Sequence, residues 1–547
     1  MTKNRSIFIG IIALLIIAGG AYFWANAQME GLYNYRSLLR DAPPEPAQPF
    51  EWAENEPLTE RVVFILVDAL RNDTAHNTTL MPYLNELRAQ GAWATSHSQE
   101  PSYSAPGYST IAIGAWPHLN DGPVFNLAYE DIPTWTQDNI FSAAHRAGLK
   151  TAVSGYNWFE KLIPQNAVDA SFYTPEYDAA ADMAVMDAAL PWLTSDDYQF
   201  VFIHLDQVDT AGHLYGADSP EWDAAATQVD AHIREIVSHL NLGQDTVLIT
   251  SDHGQINAGG HGGPEPVVLT EPFVLVGAGV TPGEHPDILM IDIAPTLSVL
   301  LGANIPATAQ GAVLTDMLTL TPEQKTTVNA ALDAQKRILH KTYVEIIGED
   351  LPIREDMGVV TGTNFAIDAM LLTQIDKFRR MRLNTPMLLI IVSLYLLFRE
   401  RENIKYEAIG AVAYTVIYHL YYLLIAGRTY SFSSINGENA LIIFNLITAV
   451  ILLSTVWFVM MQKNKTFTKG KKEAVQSTLK LIGLTLYLWL IPVLWNYGVN
   501  GFTPTWHLPN FQAFFMGILA LIQIICISAV GILLTGVAAL VAKKAST

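Results

Sequence analysis

The chain has 547 residues, 50% hydrophobic and only 15% charged, which makes it too long for one ordinary domain and too apolar for a typical soluble enzyme or a disordered segment. Its 32 Lys and Arg against 52 Asp and Glu give a net charge of −20, so the basic footprint of a nucleic-acid binder is missing and no nucleic-acid-binding function is expected. The single cysteine, Cys526, excludes an intramolecular disulfide framework and any Cys-based zinc site; a metal would have to be held by His, Asp or Glu.

Charge divides the chain in two. Residues 27–383 carry 18 basic and 47 acidic side chains, whereas the remainder carries 14 basic and 5 acidic. Residues 7–25 are uncharged over about the 20 residues a spanning helix needs, and they follow Lys3 and Arg5. Residues 1–27 therefore read as a membrane anchor or an export signal, with Ala25-Asn26-Ala27 resembling a small-residue cleavage site. Residues 28–60 read as a linker, extended where Pro43, Pro44, Pro46, Pro49 and Pro57 fall.

Residues 61–375 follow as an extracytoplasmic domain. Val62–Val67 is a continuous apolar run, and Thr151–Ser154, Phe200–Leu205, Thr246–Thr250 and Phe273–Val276 are runs of the same kind. Helix-like segments stand near Met81–Gln90, 137–147, 178–193 and 221–241. Short buried strands alternating with helices predict an α/β fold with a largely parallel sheet covered by helices on both faces. In such folds the reactive residues gather beyond the C-terminal ends of the strands.

Apolar runs at 386–398, 408–426, 439–461, 477–498 and 511–541 make residues 384–547 a membrane bundle of about five helices. With the N-terminus inside, Arg399, Arg401, Lys405, the lysines at 463, 465, 469, 471 and 472, and Lys543 and Lys544 fall on the cytoplasmic side. Lys377, Arg379, Arg380 and Arg382 fall outside against that rule, where anionic headgroups would suit them. The spans hold no central Asp or Glu; His419, Asn445, Asn496 and Gln523 read as polar groups satisfied between packed helices, not as a translocation path.

The strand-end rule picks out the chemistry. Val62–Val67 is followed by Asp68; Phe200–Leu205 by Asp206, then Asp209 and His213; Thr246–Thr250 by Asp252 and His253, then His261. Carboxylate and imidazole in this number suit zinc or manganese. Singly, each Asp is as readily a turn former and each His a surface or core residue. Ser104, in Pro101-Ser102-Tyr103-Ser104-Ala105-Pro106-Gly107-Tyr108, is a weak nucleophile unless a base or a metal lowers its pKa; by itself the segment is a loop before a small-residue helix over Ser109–Gly114.

Together these motifs resemble the alkaline phosphatase superfamily, within it the type I phosphodiesterase and glycosylphosphatidylinositol (GPI) ethanolamine-phosphate transferase group. The resemblance rests on Val63-Phe64-Ile65-Leu66-Val67-Asp68, Ser104-Ala105-Pro106-Gly107-Tyr108, Asp209-Thr210-Ala211-Gly212-His213, and Ser251-Asp252-His253-Gly254 with Gly260-His261-Gly262, and it covers roughly residues 60–310. It implies two divalent ions, zinc or manganese, one held by Asp68, Asp252, His253 and Ser104 and the other by Asp209, His213 and His261. It also implies Ser104 as the nucleophile, a phosphoserine intermediate, and Asn126 on a phosphate oxygen. His204 and Asp206 lie outside the motif and are expected to be structural; Arg71 is expected at a helix start or on the surface. Sulfatases share this scaffold, but the place of their maturation arginine is Tyr108 here and the domain has no cysteine. The expected activity is phosphodiester cleavage or phosphoethanolamine-type transfer on a lipid-linked substrate at the membrane. The alternatives are an exported broad-specificity phosphodiesterase, nucleotide pyrophosphatase or phosphatase, and an inactive membrane-tethered binding domain.

Overall fold

The computed structural model describes residues 5–50, 57–435 and 437–542; Lys3, Lys543, Lys544 and residues 51–56 of the expected linker lie outside them. The chain divides into two compact units, Tyr33–Gln374 and a second made of Met1–Leu32 with Ile375–Thr547.

The first unit is built on nine strands: β1 (Arg61–Val67), β2 (Ala92–His97), β3 (Thr151–Tyr156), β4 (Ala170–Thr174), β5 (Phe200–Leu205), β6 (Asp245–Thr250), β7 (Thr270–Gly277), β8 (Gly283–Glu284) and β9 (Ile288–Leu289). Their order is β4-β3-β5-β1-β6-β7-β2-β8, with β9 also on β2. From β4 to β6 every pairing is parallel, but β7 runs antiparallel to both β6 and β2. The sheet is thus mixed. No helix lies between β6 and β7, and a parallel return needs a crossover of a dozen or more residues, usually helical.

The uninterrupted apolar runs are explained by the two cores they serve. Val62, Phe64 and Leu66 of β1 join Phe200 and Phe202 of β5 on one face, while Val63, Ile65 and Val67 join Val201, Ile203 and Leu205 on the other. Each strand is buried on both sides, so the alternation of a half-exposed strand never develops. Helices Ala179–Leu193 and Pro220–Ser238 cover one face, capped by Asp178, which accepts from the Ala180 and Ala181 amides, and by Ser219, which accepts from Trp222. Helices Ser104–Ile113 and Ile293–Leu300 pack on the other. β2 escapes the apolar-run criterion because Trp93, Thr95 and His97 alternate with its buried positions.

The first helix, Arg5–Tyr33, runs past the expected anchor boundary at 27. Residues 34–50 of the expected linker are tied into the α/β unit: Ser37 Oγ donates to the Leu119 carbonyl at 2.7 Å, Leu39 is fully buried, and the Phe50 amide donates to Gly302.

The second unit contains helices long and apolar enough to cross a membrane, six in the described residues: Ile7–Tyr33, Val359–Arg399, Arg401–Ile425, Asn439–Lys463, Lys471–Asn500 and Phe511–Val541. The second of these begins in the residues of the first unit. The chain is a multi-pass membrane protein. Several of its buried polar residues pair: Tyr414 Oη donates to Gln523 at 2.7 Å, Gln523 and Tyr418 donate to Asn445 at 2.7 and 2.6 Å, and Asn496 donates to Gln28 at 3.0 Å. His419 Nδ1 lies 2.6 Å from Tyr430 Oη.

Candidate active site

Parallel pairing of β5, β1 and β6 places their C-terminal ends side by side. Val67 is in register with Leu205, and Leu66 with Thr250, so Asp68, Asp206 and Asp252 leave the sheet as neighbours. The turn after β1 is tight enough to put Ala69 at φ 58°, a left-handed conformation that costs a non-glycine residue of order 1–3 kcal/mol. That turn delivers the Ala69 amide to Asp252 Oδ1 at 3.2 Å.

Ser104 opens the helix Ser104–Ile113, which therefore begins five residues earlier than the sequence expectation. Its hydroxyl sits at the positive end of the helix dipole, where anions are favoured. Gly107 of the same turn is required by close approach: a Cβ there would meet Asp252 Cβ at 2.9 Å and its carbonyl oxygen at 3.0 Å. Packing of this helix against the Asp252 backbone is what brings Ser104 Oγ to 3.2 Å from His253 Nε2. Asn126 spans the same corner, accepting from the Ala105 amide at 3.1 Å and reaching Ser104 Oγ at 3.4 Å.

The two expected ligand groups are assembled. In one, His253 Nε2 lies 3.3 Å from Asp252 Oδ2 and 3.6 Å from Asp68 Oδ1. In the other, His213 Nε2 lies 3.4 Å from Asp209 Oδ2, His261 Nε2 lies 3.7 Å from Asp209 Oδ1, and the two imidazole nitrogens are 3.0 Å apart. The rings of His253 and His261 stack at 3.9 Å, so the groups adjoin. Both rings are oriented through their far nitrogens: His253 Nδ1 contacts the Gly254 carbonyl at 3.0 Å and His261 Nδ1 the Ser102 carbonyl at 3.1 Å. With Nδ1 donating, each presents an unprotonated Nε2 to the carboxylates, as a metal-binding imidazole does.

Burial makes this cluster ask for positive charge. Burial first, then repulsion from Asp68, pushes the Asp252 carboxyl well above its usual range, and burial with the neighbouring aspartates does the same to Asp206. Asp209 is raised by burial, although His213 opposes it. Asp68 is the exception. Burial alone would raise it, but the His204 hydrogen bond and the charges of His253 and His204 together hold it below the usual range. His261 is held well below an ordinary histidine by burial and then by His253 and His213, so it stays neutral. Asp68 Oδ1 and Asp252 Oδ2 are buried without a hydrogen-bond donor. Carboxyl oxygens and neutral imidazole nitrogens converging in this way are the donors a divalent cation takes, and this donor set fits one in each group.

Three residues to which the motifs gave no part in the site join it. His204, expected to be structural, places Nε2 3.1 Å from Asp68 Oδ2. Tyr108 donates to the same oxygen and lies 3.0 Å from His204 Nε2. Gln255 donates to Asp209 Oδ1 at 2.5 Å and to its carbonyl at 3.2 Å, fixing that carboxylate. The strand-end position of His204 was the available signal; for Gln255 none was. Asp206, also expected to be structural, lines a cavity of about 430 Å³ beside Asp68, Ser104, Asn126, Asp209 and His213. Arg71 stands at the start of helix Asn72–Ala75, engaged with Asp73 and Asn257 and away from this cavity.

Residues 62–265 match the type I phosphodiesterase / nucleotide pyrophosphatase family. The catalytic subunit of human GPI ethanolamine phosphate transferase 2 is 26% identical over 325 residues, covering 55% of this chain and 31% of that protein. GPI ethanolamine phosphate transferase 2 of Schizosaccharomyces pombe is 26% identical over 309 residues, covering 50% of this chain and 40% of its own. The match thus spans about a third of the length of such relatives. Among solved structures, human ectonucleotide pyrophosphatase / phosphodiesterase 5 aligns over 48% of this chain and 100% of its own, with 13% identity and a TM-score of 0.41.

Proposed function

We propose, from the premise that residues 62–265 belong to the type I phosphodiesterase / nucleotide pyrophosphatase family of the alkaline phosphatase superfamily, that this membrane protein breaks a phosphodiester by attack of Ser104 and passes the phosphoryl group to an acceptor. The substrate is lipid-linked and the reaction a phosphoethanolamine-type transfer, carried out on the extracytoplasmic side. The observation that carries this reading is the convergence of Asp68, Asp252 and His253 on Ser104 at a cavity that also holds Asp209 and His213.

Asp68, Asp252, His253 and Ser104 would hold one divalent cation and Asp209, His213 and His261 a second; together the ions would supply Lewis-acid activation and neutralise charge on the reacting oxygens. The chain's own residues set the geometry. The Ser104 helix start aims the hydroxyl at phosphorus, and Asn126 Nδ2, 3.4 Å from Ser104 Oγ, is placed to donate to a phosphoryl oxygen. In-line attack forms the Ser104 phosphoester as the first alcohol leaves. A second in-line attack, by an acceptor alcohol or water, restores the serine with net retention at phosphorus.

Two further observations favour a lipid-linked substrate over a small soluble one: Tyr177 and Leu214, 52% and 68% exposed, line the cavity, and the chain carries spanning helices. The family match itself favours a second reading, hydrolysis of a soluble diester. The two are separated on purified protein in lipid, offering a chromogenic diester, a monoester, and a phosphoethanolamine lipid with and without an acceptor alcohol. Ser104-dependent appearance of phosphoethanolamine on the acceptor supports transfer; release into water only supports hydrolysis. No turnover together with no bound metal leaves a tethered binding domain.

A further inference from the structure

The seven ligand positions contain three carboxylates, and two divalent cations with the serine oxygen would balance them. Asp206 is a fourth carboxylate in the same cavity, outside both ligand groups. Its backbone is fixed, because the Asp206 amide donates to Asp182 Oδ1 at 2.8 Å and the Gln207 amide to Asp182 Oδ2 at 3.3 Å. Its side chain is not: no donor among the described residues reaches the carboxylate, and it caps no helix amide. No lysine or arginine is among the residues lining the cavity, although the substrate brings a phosphate.

Opposite charge must then come from elsewhere. The cavity wall on this side is aromatic, made of Tyr156, Trp158 and Tyr177. Tyr156 and Trp158 meet edge to face at 5.1 Å, and Tyr156 and Tyr177 at 6.4 Å, so rings stand at steep angles to one another around the same space. Aromatic rings and a carboxylate without a donor lining one cavity form an arrangement that attracts an organic cation.

Resting on the Ser104 reading above, we infer that Asp206, Tyr156, Trp158 and Tyr177 form a subsite for an alkylammonium group carried on the phosphate ester, and that this subsite sets specificity for a zwitterionic headgroup over an anionic one. Once the two cations offset the neighbouring aspartates, Asp206 carries the charge, and the rings shed the water that would otherwise screen it. The ammonium replaces the missing basic residue in balancing the phosphate.

The test is binding, which does not depend on turnover. Full-length metal-loaded protein in detergent is titrated calorimetrically with phosphoethanolamine, phosphocholine and ethyl phosphate. The expected result is that both ammonium esters bind about tenfold tighter than ethyl phosphate, equivalent to about 1.4 kcal/mol. Asp206→Asn, nearly isosteric, collapses that ratio toward one; Tyr177→Ala, at an exposed position, narrows it without threatening the fold. Equal affinity for all three ligands in the unaltered protein overturns the inference. So does a third metal equivalent that disappears in Asp206→Asn, since Asp206 lies near enough to Asp68 and His204 to share an ion. Failure of the Ser104 reading shows separately, as absence of Ser104-dependent cleavage of a chromogenic diester while the binding ratio persists.

Discussion

A polar network among the spanning helices and the cluster at the end of the sheet bury polar side chains in opposite ways. Among the spanning helices, Tyr414, Gln523, Asn445 and Tyr418 form a chain in which each group meets another at 2.6–2.7 Å, and Trp457 donates to Thr478 at 2.8 Å. At the end of the sheet, Asp68 and Asp252 each hold a buried oxygen with no donor, beside a third carboxylate and three imidazoles. The first arrangement is complete and holds helices together; the second leaves buried carboxyl oxygens without a donor. In these two clusters the paired groups serve packing, and the unpaired oxygens are where a ligand would be taken.

The sharpest break in that contrast comes from the nucleophile. Ser104→Ala should lower turnover by more than about a thousandfold, as removal of a covalent nucleophile does. Retained turnover in steady-state assays would remove Ser104 from the mechanism.

Stripping metal should expose the unpaired charge next. Asp206, Asp209 and Asp252 have folded-state pKa values raised above those of the unfolded chain, so the folded state binds their protons more tightly. Stability from such groups is lost as pH rises from the unfolded carboxyl range through the raised values. His261, held low, works the other way below the ordinary histidine range, but three raised carboxyls outweigh one imidazole, so chelated protein should melt at a higher temperature near about pH 5 than near about pH 8. Zinc at about a thousandfold over its Kd should restore about 4 kcal/mol at the higher pH. A chelated protein whose melting temperature climbs over that range would show that the cluster is not a site of uncompensated charge.

Smaller effects test the surroundings. Asn126→Ala removes a contact to Ser104 and to the incoming phosphate, and should lower kcat/KM by about 10²-fold, mostly in kcat, if the contact strengthens in the transition state. Gln523→Leu in the membrane unit should cost only about 0.6–1.7 kcal/mol in detergent unfolding and leave kcat unchanged. A large loss of activity there would mean that the helical network belongs to the mechanism.

The amino-acid sequence alone determined the parts of this protein that are local or covalently ordered. It marked the spanning segments through their length and lack of charge, and the central strands β1, β5 and β6 through their uninterrupted apolar runs. It also singled out Asp68, Asp209, His213, Asp252, His253 and His261 as candidates, which the structure brings together, because they follow such strands and motif spacing survives in the chain. Where contact is between distant segments, only the tertiary structure decided. The reversal of β7 was hidden because pairing direction depends on the connection and not on strand composition. His204 and Tyr108 came to Asp68 through the register of β5 beside β1 and the docking of the Ser104 helix, neither of which is visible in the residues themselves. Asp206 carried no sign of being unpaired, since whether a carboxylate finds a donor depends on what the fold brings within 3 Å of it.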